Sequence, residues 1–252
     1  MVRKIKKIIS KHLGITKVLE NQRSILKFLD EYKRQNNELI KANIFNSSIV
    51  DSNWLKYKNF SPGNWAVDYS LLYTLFRILS DYEPKNIIEF GLGQSSKLIH
   101  QYGNFFTDVN AITIEHDIKW LDYFKNHIND SYPLSVIQKE LKAIKYKGNE
   151  TLSYSGMDDV LKDKKYDLIL IDGTYGSKNY SRPHILNYLP ECLTNSFCII
   201  LDDYNRLGEK ETNNEILDIL NYNNIDHLNA INLGIKEHSL ICSSDLSFLT
   251  TI

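Results

Sequence analysis

The sequence predicts an α/β fold, doubly wound about a mostly parallel seven-stranded sheet and preceded by an N-terminal helical extension. Three observations predict it. Short strand-like runs alternate with helical segments from "NIIEF" onward. The runs are nearly continuous in hydrophobicity, as strands covered on both faces must be. The chain of 252 residues, 42% hydrophobic and 24% charged, is long enough to bury a full core.

The elements follow in order, with residues 1–50 as the extension and 51–252 as the main domain. From Ile15 a heptad reading places Ile15, Val18, Gln22, Ile25, Leu29, Tyr32, Asn36 and Leu39 at alternating a and d positions. That pattern describes an amphipathic helix that either lies on its own domain or pairs with a second copy as a homodimer. A third reading lays the cationic tip, Arg3, Lys4, Lys6 and Lys7, on anionic lipid. Ser61, Pro62 and Gly63 make a turn, and Leu71, Leu72, Leu75, Phe76 and Leu79 then recur at helical spacing until Pro84 ends the helix. The strand "NIIEF" leads to a helix, "SSKLIHQYG", closed by Gly103. Next come a strand "AITIEHD", a helix "IKWLDYFKNHI" and a strand "LSVIQK". From Lys139 to Asp159 the chain is polar and lacks a distinctive pattern. "YDLILIDG" and "FCIILDD" are two more strands, separated by the helical "PHILNYLPECL"; a helix near 211–222 and the closing strands "HLNAINL" and "HSLICSS" complete the sheet.

Thirty basic residues balance 31 acidic ones, for a net charge of -1. No global field then recruits nucleic acid or an anionic membrane, and any charged partner must be held locally. No run approaches the eighteen or so apolar residues of a transmembrane segment, and the basic start lacks the apolar stretch of a signal peptide. Cys192, Cys198 and Cys242 share no metal or redox spacing. A reduced, cytoplasmic protein is the expectation.

The stretch "IIEFGLGQSS", residues 87–96, ends a strand in a carboxylate and turns at once on glycine. In a doubly wound sheet ligands bind outside the carboxyl ends of the strands, where the strand order reverses. Gly91 and Gly93 let the chain turn sharply and let a ligand approach the backbone, while Ser95 and Ser96 offer hydroxyls and amides at the next helix N-terminus. The plainer alternative is a tight turn with no ligand. Glu115, at the end of the following strand, stands where a carboxylate accepts hydrogen bonds from both hydroxyls of a ribose; its plainer alternative is a solvated loop carboxylate. Ser96 occupies the third glycine position of the dinucleotide fingerprint, so a pyrophosphate is less well accommodated. Asp172 ends one central strand, and Asp202 and Asp203 end the next, which puts three carboxylates at one rim. The loop "GTYGSKNYSRPHIL" carries Tyr175, Lys178, Tyr180, Arg182 and His184. It either folds over a polar substrate, with Arg206 joining it, or is a solvated connection in which Arg182 pairs with Asp202 or Asp203.

Over roughly residues 60 to 245 these motifs resemble the class I S-adenosyl-L-methionine (SAM)-dependent methyltransferases. "EFGLG" looks like the first cofactor motif, "ITIEHD" the second, and "YDLILIDG" and "IILDD" the fourth and fifth strands. "PGNWAVDYSLLYTLFRIL", "GLGQSSKLIHQY", "IDGTYGSKNYSR" and "ILDDYNRLGE" are similar to methyltransferase-like proteins of bacterial surface-polysaccharide (capsule) gene clusters, with a fainter likeness to glucuronoxylan O-methyltransferases. The resemblance implies a Rossmann-like methyltransferase fold and O-methylation of a small polar acceptor, a sugar or a phosphorylated precursor, in polysaccharide biosynthesis. It implies that Glu89 orients the cofactor's ammonium group, that the backbone from Gly91 to Gly93 lies under its methionyl part, and that Glu115 holds the ribose. His116 or Asp117 would sit near the adenine, with Met157 or Asp158 in the adenine loop, and Ser61 and Asn64 would close from the N-terminal side. Asp172, which would also face the cofactor, Asp202 and His184 are the candidate proton acceptors. Asp172, Asp202 and Asp203 also look similar to the Mg²⁺ or Mn²⁺ site of catechol-type enzymes, with Asp203 replacing the usual Asn. Tyr175, Lys178, Tyr180, Arg182 and Arg206 would contact substrate. A nicotinamide-dependent oxidoreductase or epimerase, and a non-catalytic scaffold, are the competing readings.

Overall fold

A computed structural model describes residues 14–63, 65–128 and 131–251. Helix α1 (Ile15–Ser48) leads to α2 (Tyr69–Arg77), which a π-helical turn, Ile78–Tyr82, prolongs. There follow β1 (Asn86–Phe90), α3 (Gln94–Phe105), β2 (Asn110–Glu115), α4 (Ile118–Ile128) and β3 (Val136–Gln138). Then come β4 (Leu141–Tyr146), β5 (Asn149–Tyr154), the short α5 (Asp158–Leu161), β6 (Tyr166–Ile171), β7 (Leu193–Leu201), α6 (Leu207–Tyr222), β8 (His227–Leu233) and β9 (Glu237–Ser243). The main sheet has seven strands in the order β3-β2-β1-β6-β7-β9-β8. It is the predicted doubly wound, Rossmann-like sheet. Strands β3 to β7 of that order pair in parallel, and β9 runs antiparallel to both β7 and β8.

Period-two alternation divides the core between the two faces of the sheet. Leu168 and Leu170 point to the layer that holds Leu71, Leu75, Leu98 and Ile99; Ile169 and Ile171 point to the layer that holds Phe90, Ile185 and Ile216. Chain order reverses between β1 and β6, which places the switch point at the carboxyl ends of those two strands.

Four local readings are corrected. Residues 184–192 form successive turns in place of the helix expected over 183–193, with bonds reaching back three residues from Leu186 to Pro183, Tyr188 to Ile185 and Leu193 to Pro190. Pro190 lacks the N–H a helix needs and disfavours helical backbone at Leu189. The patternless segment from Lys139 is largely the β4–β5 hairpin, closed on Lys147 and Gly148 with φ of 47° and 81°, a two-residue loop with both φ positive. Helix α3 runs past Gly103 to Phe105. A Cβ at Gly103 would stand 2.9 Å from that of Ala111, so this glycine serves close helix-to-strand packing and not helix termination. Helix α6 begins at Leu207, one turn earlier than 211.

Helix α1 buries only Glu38 and Phe45. Ile15, Val18, Ile25, Leu29, Tyr32 and Leu39, the apolar a and d positions, are exposed, so the heptad face does not lie on its own domain. The C-terminal turns do the docking. Phe45 meets Phe60, Tyr69 and Phe76, Glu38 accepts from the Tyr69 amide at 2.7 Å, and the Arg34 guanidinium lies 2.8 Å from Glu237 Oε1. Arg3, Lys4, Lys6 and Lys7 fall outside the described residues. The three cysteines are free and buried, and no helix among the described residues is long and apolar enough to cross a membrane.

Candidate functional site

Past Phe90 the chain turns at Gly91, whose φ of 99° is left-handed. A Cβ there would lie 2.7 Å from the Gly173 nitrogen, so the loops after β1 and β6 pass backbone to backbone at the switch point. Above them opens a cavity of about 870 Å³, within the range of small-molecule sites. Gly91, Leu92, Gly93, Glu115, His116, Asp117 and Trp120 line one side; Asp172, Gly173, Tyr175, Arg182, Asp203, Arg206 and Lys236 line the other. A Cβ at Gly93 would meet nothing within 4 Å, which leaves that stretch of backbone open to a ligand.

Glu115 ties the two loops of the first side together. Its Oε2 accepts from the Leu92 amide at 2.9 Å, and its Oε1 from the amides of His116 at 2.6 Å and Asp117 at 2.8 Å. Burial works to raise its pKa, but the His116 ring and these amides outweigh it and hold the carboxyl below its ordinary value. Glu115 is therefore an anion at the floor of the cavity. Trp120 donates its indole N–H to the Leu92 carbonyl at 2.7 Å.

Glu89 does not line the cavity. Counting by twos from Ile87, it faces the α3 layer, where it is fully buried. Its oxygens accept from Ser95 Oγ at 2.5 Å, Ser96 Oγ at 2.6 Å and Thr113 Oγ1 at 2.7 Å, and burial pushes its pKa up to about 7. Ser95 and Ser96 thus spend their hydroxyls beneath the first turn of α3 and, with Glu89, stand under the cavity and not in it.

On the other side an ion cluster forms. Asp172, Asp202 and Asp203 converge as the sequence implies, with ligand-type oxygens within 4.8 Å of one another. Cations already reach all three. Arg182 Nη2 is 2.9 Å from Asp203 Oδ2 and its Nη1 3.5 Å from Asp172 Oδ1; Arg206 Nη1 is 2.9 Å from Asp203 Oδ2; Lys236 Nζ is 3.3 Å from Asp202 Oδ2 and 3.6 Å from Asp203 Oδ1. Of the plainer alternative the pairing of Arg182 with Asp203 is present, but Arg182 is buried and not part of a solvated connection. Asp202 is wholly buried and absent from the cavity wall, whereas Asp172 opens onto it. Burial and the neighbouring Asp202 raise the Asp172 pKa well above the carboxylate range.

The remaining expectations divide. Ser61, His116, Asp117, Tyr175, Arg182 and Arg206 line the cavity. Asn64 lies outside the described residues. Met157 and Asp158 do not line it; Asp158 accepts from the Tyr188 hydroxyl at 2.6 Å beside a separate small pocket, and Tyr154 of the unforeseen hairpin takes the position facing the cavity. Lys178 is exposed and does not line the cavity, and Tyr180 packs on Tyr146 at 5.2 Å. The loop folds back onto α6 because Glu211 accepts from Asn179 and from the Tyr180 amide, and Thr212 donates to the Ser181 carbonyl. His184 is buried behind Gly173, to whose carbonyl its Nε2–H donates at 2.8 Å, and burial lowers its pKa to about 3. It shapes the loop and does not reach the cavity as a base. Lys236, Trp65, Trp120 and Tyr154 were not anticipated. For Lys236 a signal existed. The two closing strands end in an antiparallel hairpin, so their "LGIK" turn must return to the same rim as the carboxylates.

No protein-family profile matches the sequence, and no curated protein matches it. Among solved structures, the chain is similar to an O-methyltransferase from Bacillus cereus in complex with SAH, at 13% identity and a TM-score of 0.48, over 84% of this chain and 92% of that one. It is also similar to the O-methyltransferase TomG of Streptomyces achromogenes, in complex with SAM, at 13% identity and a TM-score of 0.49, over 84% and 98%. A third likeness is to SAH-bound methyltransferase PaMTH1 of Podospora anserina, at 12% identity and a TM-score of 0.42, over 90% and 96%. At these identities and scores the likeness says nothing of the site, whose chemistry rests on its own residues.

Proposed function

We propose that this chain is a SAM-dependent methyltransferase acting on an oxygen of a small polar acceptor, a sugar or a phosphorylated precursor of a surface polysaccharide. The observation that carries the reading is the Glu115 carboxylate at the cavity floor, held beside the open backbone at Gly93. Each carboxylate oxygen has about two lone-pair sites; the amides of His116 and Asp117 and the His116 ring all crowd Oε1, whereas Oε2 accepts from the Leu92 amide alone. Acceptor capacity remains for a ribose hydroxyl. When bound, SAM supplies a methyl group made electrophilic by its sulfonium. The chain's part is to line the acceptor up and to take its proton.

Asp172 is the residue for that proton. Its side chain is 16% exposed, against 1% for Asp202 and 5% for Asp203. Its raised pKa makes its ionised form, reached once the cluster's shared proton has left, a stronger acceptor than an ordinary aspartate. Arg206, whose side chain is 45% exposed at the cavity wall, is placed to pair with a phosphate or carboxylate of the acceptor. The acceptor class itself rests on the sequence resemblance.

Calorimetry tests the reading. S-adenosylhomocysteine (SAH) is expected to bind in the micromolar range and NAD not at all, and Glu115→Ala is expected to weaken SAH at least tenfold, roughly 1.4 kcal/mol. Transfer of labelled methyl from SAM to a panel of nucleotide sugars and phosphorylated intermediates then identifies the acceptor. Binding of NAD in place of SAH would overturn the assignment in favour of an oxidoreductase.

A further inference from the structure

We propose that the carboxylate triad at the acceptor side of the cavity is a metal-free site, in which the ammonium group of Lys236 stands where a divalent cation would otherwise sit and faces the acceptor. The inference deepens the methyltransferase reading and rests on it only for the identity of what enters the cavity.

The donor set decides against a metal. Mg²⁺ takes near-octahedral oxygen ligands at about 2.0–2.1 Å and needs their lone pairs free. Here the carboxylates already lie against the chain's own cations: Asp203 Oδ2 faces both guanidinium groups, at 2.9 Å each, and Asp203 Oδ1 and Asp202 Oδ2 face Lys236 at 3.6 and 3.3 Å. Asp202 Oδ1 is the triad's buried oxygen without a hydrogen-bond partner, one ligand where Mg²⁺ needs several. Charge counting agrees. Asp172, Asp202, Asp203 and Glu209 face Arg182, Arg206 and Lys236, so one proton leaves the cluster neutral, whereas a dication would put uncompensated charge in a largely buried place.

The surrounding backbone is built to hold those cations. Arg182 and Asp203 both have left-handed backbone, with φ of 57° and 60°, a conformation that costs a non-glycine residue about 1–2 kcal/mol. Within the ion cluster the two residues with left-handed backbone are the two that pair. Lys236 is delivered by the β8–β9 turn, which Asp68 clamps by accepting from the Lys236 amide at 3.0 Å while its other oxygen accepts from the Leu71 amide at the start of α2. A Cβ at Gly234 would run into that same carboxylate, so the turn approaches Asp68 as closely as only glycine allows. Although burial opposes the charge on Lys236, Asp202, Asp172 and Asp203 outweigh it and keep the side chain an ammonium. An ammonium has three N–H donors. One donates to Asp202 at 3.3 Å, Asp203 lies at an ion-pair distance of 3.6 Å, and the side chain lines the cavity, toward which a further N–H is free to donate.

Manganese is the probe. With wild-type protein, the electron-paramagnetic-resonance signal of free Mn²⁺ is expected to stay undiminished into the millimolar range. In Lys236→Ala, checked for folding by circular dichroism, the vacated place is expected to take up Mn²⁺ at least tenfold more tightly than wild type. Uptake of one equivalent by the wild-type chain, with release in Asp203→Asn, would overturn the proposal without any Lys236 variant. A folded Lys236→Ala that binds no more Mn²⁺ than wild type would equally remove the lysine from the cation's place. SAH calorimetry on the same preparations separates the two readings: failure to bind SAH sinks the methyltransferase assignment and leaves the Mn²⁺ result to stand alone.

Discussion

Glu89 stands one residue before the end of β1 and Glu115 ends the adjacent β2, so two acids beside the same glycine turn have different surroundings. Glu115 stays ionised because three amides and the His116 ring repay its burial. For Glu89 three hydroxyls do not suffice, and its pKa climbs to about 7. Because Glu89 lies beneath the cavity, Glu89→Gln is expected to leave SAH affinity within about threefold, less than 1 kcal/mol. A loss beyond tenfold in calorimetry, with the fold intact, would return Glu89 to direct cofactor contact. Glu89→Ala has a different effect. It strips three buried hydroxyls of their acceptor and is expected to cost about 2–4 kcal/mol in urea unfolding, at roughly 1 kcal/mol or more per orphaned group.

At the scale of elements, α1 carries the clearest consequence. Its 34 residues bury only two side chains, and the exposed a and d positions continue for the length of several heptads. A helix this apolar on one side gains by pairing with a like stripe. Sedimentation velocity is therefore expected to show a dimer at micromolar concentration that Leu29→Asp dissociates; a wild-type monomer would remove α1 from assembly. The helix itself, the sheet strands and the glycine turn were legible from sequence because each rests on a local period or on a residue with special backbone freedom. The β4–β5 hairpin was not, since its turn carries Lys147 where Asn or Asp is the usual signal. Nor was the destination of Glu89. Strand parity could have assigned it to the α3 layer, but the motif resemblance drew it to the ligand. The fold of the loop after β6 depends on Glu211 and Thr212 of α6, a tertiary matter that no spacing within the loop reveals.

For the molecule as a whole, buried ionisable groups set the pH dependence of stability. Burial lowers the pKa of His100 to about 4 and of His184 and His238 to about 3, from 6.5. Between those values and 6.5 the unfolded chain binds more protons than the folded one, so stability rises with pH and the contribution is complete above 6.5. Glu89 and Asp68 act in the opposite sense. Burial raises both to about 7, from 4.5 and 3.8, so the folded chain holds the extra protons and stability falls as pH climbs through that interval. Asp172 is shifted the same way. The slopes oppose each other in mildly acidic solution. Below about pH 4 the histidines dominate, and toward pH 7 only the acids still titrate. Urea midpoints are thus expected to peak on the acid side of neutrality, between about pH 4.5 and 6.5, and to fall on both sides. Glu89→Gln isolates one contribution. At roughly 1.4 kcal/mol per pKa unit, removing a shift from 4.5 to about 7 should move the variant relative to wild type by up to ~3 kcal/mol in its favour between pH 5 and pH 8. Parallel profiles for the two proteins would mean that Glu89 is ionised throughout, with its three hydroxyl donors outweighing its burial.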